Sequence, residues 1–235
     1  MKVVGRENHW HLYDRSRPAV LTIAPGELVI FETTDACHGA CEALSAGDPG
    51  PTADTEADAA AVEQHAMGPR SPVHGVTFFG LNPAVDAGLR LPNSTGPSGD
   101  WLTGPVYVEG ASPGDTLVAE IISIEQDGPG FQLIGPNRGV VDTEISGWTV
   151  SPVHDRGDGQ FELDSGMVLP YQGTIGSFGC VPAAGVPTNA IGPTCGTSDL
   201  PHATVGAKLH VPIEVAGGLF SLGDVHACQV RSHGR

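Results

Sequence analysis

Glycine and proline punctuate this chain so densely that it has little room for long helices. Of its 235 residues, 33 are Gly and 20 are Pro. The aromatic and β-branched runs between them read as a loop-rich β protein rather than a helix bundle. The clearest run is Pro18-Ala-Val-Leu-Thr-Ile-Ala-Pro25-Gly26-Glu27-Leu-Val-Ile-Phe-Glu32-Thr. It predicts a strand, a Pro-Gly turn and a second strand, with Leu28 and Ile30 on one face and Val29 and Phe31 on the other. The unit returns as Pro113-Gly114-Asp115 followed by Thr-Leu-Val-Ala-Glu120. A third version spans Ala203 to Val215, where a glycine-bearing turn leads into Lys208-Leu-His210-Val-Pro212-Ile. The spacing of the three is not fixed, which excludes a solenoid. The expected fold is mainly β: a β-sandwich of hairpin-like units, with residues 1–235 forming one domain. One acidic helix is expected over Thr52 to Gly68, capped by Thr52 or Asp54, propagated by alanines and stopped at Gly68-Pro69. Gln126 to Asp164 reads as loop-dominated.

Charge narrows the class of partner. The formal net charge is −16, and Lys2 and Lys208 are the only lysines. Such a surface repels phosphate backbones, so nucleic acid is excluded as a partner. Five cysteines (Cys37, Cys41, Cys180, Cys195 and Cys228) are odd in number and irregularly spaced, unlike a disulfide framework. Charged residues follow Met1-Lys2-Val3-Val4-Gly5 at once, leaving no signal-peptide core, and no apolar run reaches membrane-spanning length. A cytoplasmic location is the expectation.

Metal chemistry is concentrated near the end, in Gly217-Gly218-Leu219-Phe220-Ser221-Leu222-Gly223-Asp224-Val225-His226-Ala227-Cys228-Gln229. An extended backbone through Asp224-Val225-His226 puts the carboxylate and the imidazole on one face. That pair suits zinc, manganese or iron. Asp35, in the polar loop after the first strong strand and close to Gly39, is a further candidate ligand, with a turn-capping role as the alternative. In Thr103-Gly104-Pro105-Val106-Tyr107-Val108-Glu109-Gly110-Ala111, Glu109 falls on an otherwise apolar strand; burial there would raise its pKa and make it a candidate acid–base group. His9 and His11, flanking Trp10, form a second possible imidazole pair. Nucleophile patterns are poor: there is no Gly-x-Ser-x-Gly elbow, and Cys195 stands as a lone thiol.

These landmarks together resemble the acetamidase/formamidase family of amidohydrolases. The Gly-x-Leu-Phe-Ser-Leu-Gly-Asp-x-His-Ala run resembles its closing signature, and Thr103 to Ala111 resembles its Thr-Gly-Pro-x-Tyr-Val-Glu-Gly-Ala. The likeness is strongest at 18–35, 103–120 and 207–229. The segment Thr194-Cys195-Gly196-Thr197-Ser198-Asp199 keeps Gly and Asp of the family's Gly-Gly-Asn-Met-Asp. The resemblance implies hydrolysis of a short amide, formamide or acetamide, to the acid and ammonia by a metal-activated water. It implies Asp35, Asp199, Asp224 and His226 as ligands of a divalent ion, zinc foremost, with Glu109 passing a proton to the departing ammonia. Family members continue past Asp-x-His-Ala with a Gly-Asp-Gly-Glu turn and further strands, letters absent from Val230 to Arg235. A C-terminally incomplete chain, a weakened site and association into a homo-oligomer are the corresponding expectations. The alternative is a non-catalytic metal-binding β-sandwich module or an inactive truncated homologue.

Overall fold

The computed structural model describes residues 1–10, 12–34, 100–126, 130–134, 149–184, 186–188 and 191–229. These residues are mainly β, with no helix among them. The strands are β1 (Lys2–Val4), β2 (His9–Trp10), β3 (Leu12–Tyr13), β4 (Leu21–Ile23), β5 (Val29–Phe31), β6 (Leu102–Val108) and β7 (Thr116–Glu120). They continue with β8 (Gly130–Ile134), β9 (Thr149–Asp155), β10 (Gln160–Leu163), β11 (Val168–Pro170) and β12 (Thr174–Gly179). The last are β13 (Val186–Pro187), β14 (Cys195–Thr197), β15 (Lys208–Pro212) and β16 (Phe220–His226). The expected acidic helix, Asp35 and the Cys37/Cys41 pair lie outside the described residues, as does Val230 to Arg235.

A six-stranded sheet runs β14-β12-β16-β6-β2, with β4 added parallel to β6. Thr103 pairs with Leu222 on one side and His9 on the other, and Val106 with Phe220 and Leu21. β2 and β4 therefore share one edge of β6, end to end. β6 is buried along nearly its whole length, as a strand covered on both faces must be. The ribbon β7–β15 packs against this sheet. Along β15, Leu209 and Val211 point inward while Lys208, His210 and Pro212 face solvent, the alternation expected of a half-buried strand. Leu209, Val211 and Ile213 join Ile175 and Phe220 in one apolar cluster. Each such burial stabilises by about 1.5–3 kcal/mol. Trp10, Tyr13, Leu102, Val181, Cys195 and Leu219 form a second cluster.

Two expectations about the strands are corrected. The turn-then-strand units are present, but they are not hairpins. Glu27 caps the Pro25-Gly26 turn by accepting from the Ala24 N–H at 2.8 Å. The flanking strands then separate: β4 continues along β6, and β5 pairs in parallel with β1. Likewise β7 leaves its turn to pair with β15 rather than with β6. The second correction concerns the described residues of 126–164, which are mostly strand: β8, β9 and β10 with β11 form a four-stranded antiparallel sheet. Gly130, Pro152, Asp155 and Gly157-Asp158-Gly159 interrupt apolar alternation there, so pairing rather than local propensity makes these segments strands.

Candidate functional site

One end of the central sheet is kept clear of side chains where β12 crosses β16. Gly176 faces the turn of β16 around Asp224. A Cβ at Gly176 would lie 2.5 Å from both Asp224 Oδ2 and His226 Cε1. Its carbonyl accepts from the N–H groups of Ser198 at 2.8 Å and Asp199 at 3.1 Å, bringing the segment after β14 to the same place. Gly223 does the same for β6: a Cβ there would stand 2.4 Å from the Trp101 carbonyl oxygen.

Three ligand-bearing side chains converge in this clearing. Ligand atoms of Asp199, Asp224 and His226 all lie within 4.8 Å of one another. His226 Nε2 is 3.4 Å from Asp224 Oδ1 and 4.0 Å from Asp199 Oδ1. The route to convergence differs from simple alternation. Asp224 has φ of 50° and Asp199 of 43°, both in the left-handed region. Aspartate tolerates that region better than most residues, at some cost in strain. Of the three non-glycine left-handed residues among those described, two are in this group and the third is Leu219.

The three groups could hold a metal ion. The side chains are 13% exposed for Asp224, 20% for Asp199 and 30% for His226, so the cluster is partly desolvated yet open. Burial, and then the charges of Asp100 and Asp199, hold the Asp224 carboxyl well above the usual carboxylate range. Two carboxylates and an imidazole make a borderline-hard donor set that suits zinc or manganese. In a tetrahedral site with bonds of roughly 2.0–2.2 Å, neighbouring ligand atoms stand about 3.3–3.6 Å apart. The His226–Asp224 separation of 3.4 Å meets that spacing.

Behind Asp224 lies a polar cluster that sequence reading did not identify. Ser177, fully buried on β12, donates to Asp100 Oδ2, stands 2.9 Å from Thr197 Oγ1, and approaches Asp224 Oδ2 at 3.5 Å. Thr197 also donates to Asp100 Oδ2. The backbone of Asp100 is tied down by Thr188 Oγ1, which donates to its carbonyl at 2.6 Å. The available signal was positional: Asp100 is an acid at the mouth of the best-marked strand, and such ends are where sites are built.

The other candidates fall elsewhere. Asp35 lies outside the described residues; the segment before it is fixed by Thr103 Oγ1 donating to the Glu32 carbonyl at 3.0 Å. Glu109 is exposed, in the turn after β6, where its N–H bonds the Ile23 carbonyl at 2.8 Å. The burial expected for it is absent, because the strand ends at Val108 and the chain turns outward. β6 starts beside the Asp224 end of β16, so Glu109 is at the far end of the strand from the cluster. Cys195 is buried, and burial pushes its thiol up to about 11. His9 packs edge-on against Trp101 at 4.9 Å, with Nδ1 2.7 Å from the Arg6 carbonyl; His11 lies outside the described residues.

No protein-family model matches the chain, and no curated protein matches it in sequence. Solved structures do. An acetamidase from Bacillus halodurans superposes with a TM-score of 0.68 at 23% identity, over 96% of this chain and 62% of that one. A predicted acetamidase/formamidase from Thermoanaerobacter tengcongensis gives 0.71 at 21% identity, over 96% of this chain and 61% of that one. A gamma lactamase from Delftia acidovorans gives 0.66 at 16% identity, over 99% of this chain and 63% of that one. At these identities the likeness is one of fold, and the chain spans about three fifths of the length of each structure.

Proposed function

We propose that this chain is an amidohydrolase of the acetamidase/formamidase kind, converting a short amide such as formamide or acetamide, with water, to the carboxylic acid and ammonia. The observation that carries the reading is the meeting of Asp199, Asp224 and His226 in a glycine-cleared recess, on a chain with the fold of solved acetamidases. Asp199, Asp224 and His226 would hold a divalent ion, zinc foremost, and Asp35 is proposed as a further ligand. When bound, the ion supplies a Lewis acid and lowers the pKa of water from about 15.7 toward roughly 7. The chain's own contribution is aim and exclusion. Gly176 leaves room for the Asp224 and His226 side chains, and the left-handed Asp199 and Asp224 turn their carboxylates to one point. Glu109, proposed from the resemblance as the proton donor to departing ammonia, is not among the three residues that come together here. A cytoplasmic location and a homo-oligomer belong to the same reading.

Ammonia release from formamide, acetamide, longer aliphatic amides and a γ-lactam tests the reading. The γ-lactam is included because the gamma lactamase shares the fold. Turnover should vanish with chelator and return with Zn²⁺ or Mn²⁺. Stoichiometric metal binding with no turnover on any of these amides would favour the non-catalytic binding module.

A further inference from the structure

Ser177 Oγ meets three oxygens: Oδ2 of Asp100, Oγ1 of Thr197 at 2.9 Å and Oδ2 of Asp224 at 3.5 Å. A serine hydroxyl has one proton to give, and Ser177 is fully buried, so solvent cannot supply another partner. Thr197 spends its own proton on the same Asp100 oxygen. The two hydroxyls come from paired strands, Ser177 of β12 lying opposite Thr197 of β14. Asp100 is itself fixed from a third direction, by the buried Thr188 on its carbonyl. The two carboxylates compete unequally for the one Ser177 proton: Asp100 Oδ2 is the close acceptor, and Asp224 Oδ2, at 3.5 Å, is the distant one.

We infer that Asp100 is a positioning residue which captures the Ser177 proton and so leaves the Asp224 carboxylate open to a divalent cation. Without an acceptor at position 100, the Ser177 hydroxyl has Asp224 as its nearest carboxylate. A charge-assisted hydrogen bond there would compete with the cation for the same oxygen. Asp100→Asn removes the charge and leaves one acceptor oxygen and one NH2 group. With the NH2 turned to the two hydroxyl oxygens it sends the Ser177 proton to Asp224, and Asp100→Ala, which has no acceptor in either orientation, does so by removal alone. The inference rests on the metal-binding reading above, and it adds to that reading a residue outside the set of ligands.

The test is calorimetric titration of Zn²⁺, and separately Mn²⁺, into the full chain and into Asp100→Asn, Ser177→Ala and the double variant, with melting temperature as a check on folding. Asp100→Asn should weaken binding about 10- to 100-fold, the range for residues that orient a ligand. In the Ser177→Ala background the same substitution should cost only a few-fold, because no proton is left to redirect. An equal loss in both backgrounds would mean that Asp100 acts through its charge alone and would overturn the inference, as would unchanged affinity in Asp100→Asn. If Asp100→Asn does not fold, Asp100→Ala supports the same comparison, since it too frees the Ser177 proton. A parent chain that binds neither ion overturns the metal reading and this inference together. A parent that binds, with no coupling between positions 100 and 177, overturns the inference alone.

Discussion

The Asp224 carboxyl is pushed well above the usual carboxylate range, first by burial and then by the charges of Asp100 and Asp199. A folded-state pKa raised above the unfolded value makes the protonated form the stabilising one. That contribution is complete below the ordinary aspartate value of about 4, and it is lost as pH rises through the folded-state value. In chelator, the parent chain should therefore lose melting temperature between about pH 4 and neutrality relative to Asp224→Asn. At pH 7 the variant should melt higher by on the order of 2–4 °C, and Zn²⁺ should raise the parent but not the variant. Cys195 carries the opposite lesson. Burial pushes its thiol up to about 11, so it is not a thiolate at neutral pH. Cys195→Ser should keep turnover within roughly a factor of three; an abolished rate with unchanged metal content would restore a thiol route. Asp224 and His226 were legible as a pair because they are two residues apart on one strand. Asp100 was not, because its hydroxyl partners are 77 and 97 residues away in the chain.

Among the elements, β16 does most to shape the site. Leu219, just before it, and Asp224, within it, adopt left-handed φ, at 52° and 50°, and its register against β6 shifts between Phe220 and Leu222. Sequence alternation put Asp224 and His226 on one face, and they do meet, but through these irregularities instead of a regular pleat. No composition rule announces such a break when the residue involved is not glycine. Gly176 opposite is the complementary requirement. Gly176→Ala should push Asp224 and His226 apart, cut Zn²⁺ affinity at least tenfold and lower stability by about 1–3 kcal/mol, with the far-UV circular dichroism still that of a β protein. Titration calorimetry and thermal melts on one preparation check both halves. Strand β6 was legible from Val106-Tyr107-Val108 because a central strand is apolar on both faces. Strands β8 to β10 were not, because the groups that make them strands are one another.

At the scale of the molecule, the fold was readable from a few separated landmarks, and the solved acetamidases confirm it at 23% identity or less. Two of the landmarks each close a tight backbone approach: Gly104 against Phe220 and Ser221, Gly223 against Trp101. The pairings of β4, β5 and β7 were beyond reach, since a turn signal fixes where a strand begins and not which neighbour it takes. The sheet order also has a consequence in time. β16 lies between β12 and β6, yet it follows both in sequence. Until residues 220–226 leave the ribosome, β6 and β12 have facing edges with nothing between them: a nascent chain carries the open edge of β6 from residue 108, and that of β12 as well from residue 179. Pulse-labelled hydrogen exchange during refolding should show amides of β6, β12 and β16 becoming protected in a single slow phase, while the local meander β9-β10-β11 is protected earlier. Assembly of the recess would then be the closing event of folding, and a cell making this chain would need to shelter it until that moment.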